Sequence, residues 1–285
     1  MQFGFAYAPP LIISAAVANK VFDTLARGAK KESEAFLVSN KPGTLAGFFS
    51  MNRVRLMQQW MKLDEVVRTG RPAEARNQEG PGTEFFSELV ENIIPMSYGS
   101  ALALADHLKL ADATNEVRVL DLGSGSGIWG IVLAQKSPRV QVTAVDWAGM
   151  IPTTKRITQK FGVGNRFKFI EGDLLDADFG EGYDVATLGH ILHSEGEDRS
   201  RKLLKKTANA LKPGGTIAIG EWLVNDERTE PLNGLMFAVN MLVNTESGDT
   251  FSFNEIKRWL EEAGFKNART LEAPGPSPLV LATKS

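Results

Sequence analysis

Two groups of residues have the types and spacing for chemistry. The first is the run Val119-Leu120-Asp121-Leu122-Gly123-Ser124-Gly125-Ser126-Gly127-Ile128-Trp129-Gly130. Glycines let the backbone turn sharply and approach a ligand, and a helix start beyond them offers free N–H groups. Two registers fit. Gly125-x-Gly127-x-x-Gly130 matches a dinucleotide fingerprint, with Asp146 near the ~20-residue spacing of a ribose-binding acid. Asp121-x-Gly123-x-Gly125-x-Gly127 instead places an acid inside the strand end. The second group is His190 and His193. Histidine can take a proton near neutral pH. On a helix the two rings would share a face and could look like a metal pair. With no third ligand at a convincing spacing, no metal is expected.

The elements that must position these groups alternate. From Val117 the chain reads as strands Val117–Asp121, Val140–Asp146, Arg166–Glu171, Tyr183–Leu188 and Thr216–Glu221. Helices are expected at Ile128–Gln135, Met150–Phe161, about Glu195–Leu211, Pro231–Val243 and Phe253–Ala263, with Lys212-Pro213-Gly214-Gly215 as a turn. Two final strands, Asn267–Glu272 and Leu279–Thr283, are joined through a Pro/Gly connection short enough to force antiparallel pairing. This is an α/β pattern with a parallel sheet covered on both faces. His193 and the glycines then fall at the C-terminal edge, where open α/β sheets bind ligands. Residues before about 110 read as helical, at Leu11–Leu25, Ser50–Val67 and Phe85–Leu110, with Gly70–Gly82 as an exposed loop.

Bulk properties narrow the function classes. Lys and Arg total 32 against 34 Asp and Glu, a net charge of −2 over 285 residues, which argues against nucleic acid or acidic membranes as partners. The basic cluster Arg199 to Lys206 reads as a solvated helical face. There are no cysteines, which excludes thiolate nucleophiles and fits a reducing cytoplasm. The apolar stretch Ala8–Ala18 is too short for the ~20 residues of a membrane span. A soluble cytoplasmic protein is expected.

DLGSGSG at 121–127, EGDLLD at 171–176, ILHSEGEDRSRKLL at 191–204, LKPGG at 211–215 and WLEEAGF at 259–265 together carry a resemblance. Residues about 85 to 285 resemble the class I S-adenosylmethionine-dependent methyltransferases of the plant caffeic-acid type and their bacterial small-molecule counterparts. The resemblance implies a Rossmann-like seven-stranded sheet with its last strand antiparallel, following a helical N-terminal region at 1–84. It implies S-adenosylmethionine as cofactor. Asp121 would help hold its methionine end, with Gly123, Ser124 and Gly125 forming the loop. Asp146 would bind the ribose. Trp147 stands either against the adenine or at the core edge, and Gly172, Asp173 and Leu174 fall where the family contacts adenine.

The same resemblance places His193 as the base that takes a proton from an acceptor hydroxyl, with Glu221 as an acid that orients it. The position of a second acid holds Thr250, and Ser194-Glu195 replace the family's usual Asp-Trp. His190 is expected in the pocket wall. Met236, Asn240, Met241 and Asn244 lie on the helix that lines the acceptor pocket in the family. The implied reaction is methyl transfer to a small-molecule hydroxyl, aromatic or polyketide-like. The alternatives are an NAD(P)-dependent oxidoreductase and a non-methylating relative. Family members carry a winged-helix segment where only Ala26–Lys31 stands here, so that segment is expected to be incomplete. They pair as homodimers through these N-terminal helices.

Overall fold

The structure is a computed structural model that describes residues 8–25, 35–41, 43–275 and 277–285. The alternating pattern closes into one seven-stranded sheet. Its strands are β1 (Val117–Leu122), β2 (Val140–Asp146), β3 (Phe167–Glu171), β4 (Tyr183–Gly189), β5 (Leu211–Gly220), β6 (Phe265–Leu271) and β7 (Leu279–Lys284). Their order is β3-β2-β1-β4-β5-β7-β6. β1 to β5 are parallel, and β7 runs antiparallel to both β5 and β6. The Rossmann-like sheet with a reversed last strand is therefore the one observed.

The helices in chain order are α1 (Ala8–Ala18), α2 (Val21–Thr24), α3 (Ala46–Met51), α4 (Met57–Trp60), α5 (Leu63–Thr69), α6 (Glu79–Asn92) and α7 (Ile94–His107) ahead of the sheet. Within and after it come α8 (Ile128–Lys136), α9 (Ile151–Lys160), α10 (Leu192–Ala210), α11 (Leu232–Asn244) and α12 (Phe253–Glu262). Central strands are apolar on both faces because helices cover both. One core packs Leu104 of α7, Ile131 and Leu133 of α8 and Ile157 of α9 against Val119 and Val142. The other packs Leu203 and Leu204 of α10 and Ile256, Trp259 and Leu260 of α12 against Leu120, Leu188 and Ile219. Chain order turns outward in opposite directions from β1 and β4, which opens a crevice beyond their C-terminal ends. Among the described residues no helix is long and apolar enough to cross a membrane.

Several expected boundaries move. Phe85–Leu110 is two helices, α6 and α7, separated at Ile93, because Pro95 cannot continue the first and starts the second. The exposed loop ends at Gln78, and Arg76 within it is buried, its guanidinium 3.8 Å from the Phe85 ring centre. The expected division at residues 84 and 85 lies inside α6. Ser50–Val67 is broken by a π-helical turn at Asn52–Leu56 and by a second interruption before α5. Lys212–Gly215 does not precede β5 but bulges out of it, since pairing resumes from Tyr183/Leu211 to Val185/Thr216. Of the segment read as an incomplete winged helix, residues 26–31 lie outside the described residues.

Trp259 is 1% exposed, at the centre of the α12 contact. Replacing it with alanine is expected to cost about 3–5 kcal/mol, read from chemical denaturation. A loss below about 1 kcal/mol would contradict this packing.

Candidate active site

The loop after β1 is shaped by positive backbone angles and by a carboxylate. Gly123 and Gly125 have φ of 62° and 52°, where a Cβ is strained. A Cβ on Gly123 would also stand 2.9 Å from the Ile191 side chain, so the loop lies directly under the segment after β4. Asp146, at the end of β2, accepts from the Gly125 N–H at 2.7 Å and from the Trp147 N–H at 2.8 Å. Thr154 of α9 donates to the Gly125 carbonyl at 2.7 Å. Burial lifts the Asp146 carboxyl to about 6, against the pull of its two backbone donors. Ser124 Oγ is buried with no hydrogen-bond partner among the described residues, a free donor in the loop.

Asp121 sits behind this loop. It accepts from Thr187 Oγ1 at 2.7 Å and from the Gly130 N–H at 3.2 Å, and burial lifts its carboxyl to about 7. Asp173 lies at the turn after β3, where it accepts from the Leu175 N–H at 2.8 Å. Arg199 of α10 grips both its oxygens, at 2.9 and 2.7 Å, and also pairs with Glu195 at 2.5 Å. Lys206 donates to the carbonyls of Leu174, Leu175 and Ala177. The basic cluster on α10 is thus not only a solvated face: two of its members hold this turn in place.

The histidine half is built from the ends of β4 and β5. His193 Nδ1 lies 2.7 Å from Glu221 Oε2, and the His193 N–H donates to Glu221 Oε1 at 3.2 Å. Burial by itself would raise the Glu221 carboxyl. The charge and hydrogen bonds of His193 outweigh it and hold the group below its usual value. An ionised Glu221 accepts from Nδ1–H, which leaves Nε2 as the proton acceptor. Phe237 of α11 meets the His193 ring edge-on at 4.9 Å and stacks on Trp222 at 4.7 Å. The helix carrying His193 has a non-helical residue at Gly196 (φ 75°), so residues 192–195 form a turn of their own. A Cβ at Gly196 would strike the Ser247 carbonyl at 2.4 Å.

Both halves line one cavity of about 990 Å³, counting the space at its mouth that is open to solvent. Gly123, Ser124, Gly125, Asp146, Trp147, Asp173, Leu174, His190 and His193 all reach it. Other expected residues do not line it. Asp121 is spent on the loop from behind, Gly172 donates to the Asp146 carbonyl, and Glu221 stands behind His193. Asn240 Oδ1 accepts from Trp60 Nε1 and from Asn244 Nδ2, both at 3.1 Å, so it is engaged by an N-terminal helix, while Asn244 Oδ1 is buried without a partner among the described residues. Met241 is buried and Met236 faces solvent. At the second acid position, Thr250 is buried with its hydroxyl unpartnered among the described residues, while Asp249 pairs with Arg228.

Sequence reasoning missed the cavity wall supplied by Phe86 and Val90 of α6, Ile93 at the break, and Ile94 and Ser97 of α7, and Glu195 beside His193. The helical period of Phe86, Val90, Ile93 and Ser97 was the available signal. Glu221 stands beside His193, where the resemblance put it, and it also supplies the third group that spacing alone did not offer the two histidines, one ligand-type atom of each lying within 4.8 Å of the others. Both oxygens of that carboxylate are engaged by His193.

A family model described as an O-methyltransferase domain matches residues 60–266. The chain belongs to this family. The methyltransferase is 29% identical to 3-hydroxy-5-methyl-1-naphthoate 3-O-methyltransferase of Streptomyces sahachiroi, over 88% of this chain and 73% of that one. It is 26% identical to the tetracenomycin polyketide synthesis 8-O-methyl transferase TcmO of Streptomyces glaucescens, over 88% and 74%. In structure it is similar to PigF solved with S-adenosylhomocysteine, at a TM-score of 0.84 and 21% identity, covering 99% of this chain and 98% of that one. Human N-acetylserotonin methyltransferase in complex with S-adenosylmethionine gives a TM-score of 0.80 at 21% identity, covering 99% and 96%.

This is an S-adenosylmethionine-dependent O-methyltransferase, and the nicotinamide reading of the glycine loop gives way. The residues present fit the cofactor: a loop with positive φ at two glycines, the free Ser124 hydroxyl, and a carboxylate at the end of β2.

Asp146→Ala is expected to weaken S-adenosylhomocysteine binding by about 30-fold or more, the loss of a charge-assisted hydrogen bond and its loop anchor, measured by calorimetry. Because its carboxyl titrates near 6, affinity in the unaltered enzyme should be level above pH 7 and fall as pH drops through 6. Asp146→Asn should abolish that fall. An unchanged affinity in Asp146→Ala would sink this assignment.

Proposed function

We propose that the enzyme methylates a phenolic hydroxyl of an aromatic or polyketide-like small molecule, with His193 as general base. The observation that carries this reading is the 2.7 Å contact of Glu221 with His193 Nδ1, which fixes the base tautomer at the cavity edge. When bound, the cofactor supplies a methyl group on a sulfonium, already a good leaving group. The protein must therefore orient the acceptor and remove its proton. A phenol ionises near ~10, so a base working near neutral pH lowers the barrier. His193 Nε2 takes the proton, and Glu221 stabilises the imidazolium that results. Phe86, Val90, Ile93, Ile94 and Trp129 give the wall an apolar, aromatic character suited to a planar acceptor. The naphthoate and tetracenomycin methyltransferases among the relatives, by their names, act on such compounds.

On the cofactor side, Asp146 takes the ribose hydroxyls, Trp147 and Leu174 flank the adenine, and Asp173, steadied by Arg199, faces its amino group. Asp121 acts on the methionine end by holding the loop from behind. Self-association through the N-terminal helices is supported by Ile12, Leu25 and Met61, which are 67%, 59% and 82% exposed. A cytoplasmic setting accords with a chain that has no cysteine.

His193→Ala is expected to lower kcat by ~10²–10⁴-fold on a phenolic acceptor while S-adenosylhomocysteine affinity stays within threefold. Glu221→Gln should fall between the two. Wild-type turnover in His193→Ala would refute the base. Light scattering of the eluted protein should give twice the 31.1 kDa chain mass. A single-chain mass would rule out the dimer.

A further inference from the structure

His190 has no task in the reading above, yet it is held in place at a cost. Its φ is 63°, a left-handed conformation that a residue with a Cβ keeps only when its surroundings enforce it. The enforcement is visible: its N–H donates to the Gly220 carbonyl at 2.7 Å, and its ring lies against Trp129 with centres 6.4 Å apart. The effect is to aim an imidazole into the cavity beside His193, ring centres 6.4 Å apart. Its Nδ1 is buried and has no hydrogen-bond partner among the described residues. A buried polar atom left unpaired is costly, and a ligand that pairs it removes the cost.

We propose that His190 is a second catalytic histidine, whose ring N–H donates to the same acceptor oxygen that His193 deprotonates. The spacing allows it. Both rings line the cavity with their centres 6.4 Å apart, a separation that one acceptor oxygen can bridge with hydrogen bonds of ~2.8 Å to each. The protonation states allow it as well. Burial pushes the His190 imidazole down to about 4, so at neutral pH it keeps one N–H and does not compete for the acceptor proton.

The step balances within the acceptor and cofactor. The O–H proton moves to His193 Nε2. The oxygen lone pair forms the new O–C bond as the C–S bond breaks, and that electron pair stays on sulfur, which becomes neutral. During this step the oxygen carries developing negative charge in an apolar cavity. A fixed donor stabilises that charge where water is excluded. The acceptors that gain are phenols of ordinary acidity. Those already ionised at neutral pH gain little.

The inference rests on His193 as base, and one experiment separates the two. Holoenzyme variants His190→Phe, His190→Gln and His193→Ala are assayed with saturating S-adenosylmethionine on phenols of graded acidity, with S-adenosylhomocysteine affinity as a check on folding. His190→Phe is expected to lose ~10²–10³-fold in kcat on weakly acidic phenols and under tenfold on strongly acidic ones. His190→Gln, which keeps an N–H, should recover most of the loss. A loss independent of acceptor acidity, or no advantage of Gln over Phe, overturns the second histidine. Full activity of His193→Ala on weak phenols overturns the base instead.

Discussion

A carboxylate buried at a strand end must find donors, because a charge stripped of water and left unpaired is too costly to keep. Asp121, Asp146 and Glu221 stand at or just past the C-terminal ends of β1, β2 and β5, and each meets that demand with neighbouring groups. The way each is satisfied fixes a piece of the site. Asp146 takes the Gly125 and Trp147 N–H groups and so sets the loop beside it. Asp121 takes Thr187 and the first turn of α8, tying β1 to β4 under the crevice. Glu221 takes the His193 backbone and ring together, so the residue enters the cavity with position and tautomer already decided.

Much of this was legible in the sequence because it depends on local spacing. A strand ending in Asp121, glycines at every second position and a further acid after the next strand specify a turn and its ligand-facing edge before any contact is known. The reversal of β7 was legible for the same reason, since the short Pro/Gly connection leaves no room for a crossover. What was not legible depends on partners far apart in the chain. Asn240 and Asn244 look like ligand-binding residues on a helical wheel, but Trp60, 180 positions away, takes the Asn240 side chain. Arg199 and Lys206 look like a solvated stripe until the turn after β3 comes within their reach.

Local chemistry also decided where elements broke. Pro95 divides one expected helix into two, and this division places Ile93 and Ile94 at the cavity wall. Gly196 lets the turn that carries His193 and Glu195 change direction before the long body of α10 begins. In both places a residue that interrupts a helix delivers side chains to the site.

The wall made by α6 and α7 belongs to a layer that shares no strand with the sheet. The loop carboxylate Asp146 and the histidine pair are anchored to strand ends, whereas much of the apolar wall facing them is mounted on two helices. The two are coupled, because a Cβ on Gly125 would stand 3.1 Å from the Val90 side chain and the Phe86 ring centre lies 6.4 Å from that of Trp147, so a change in the wall is felt at the loop.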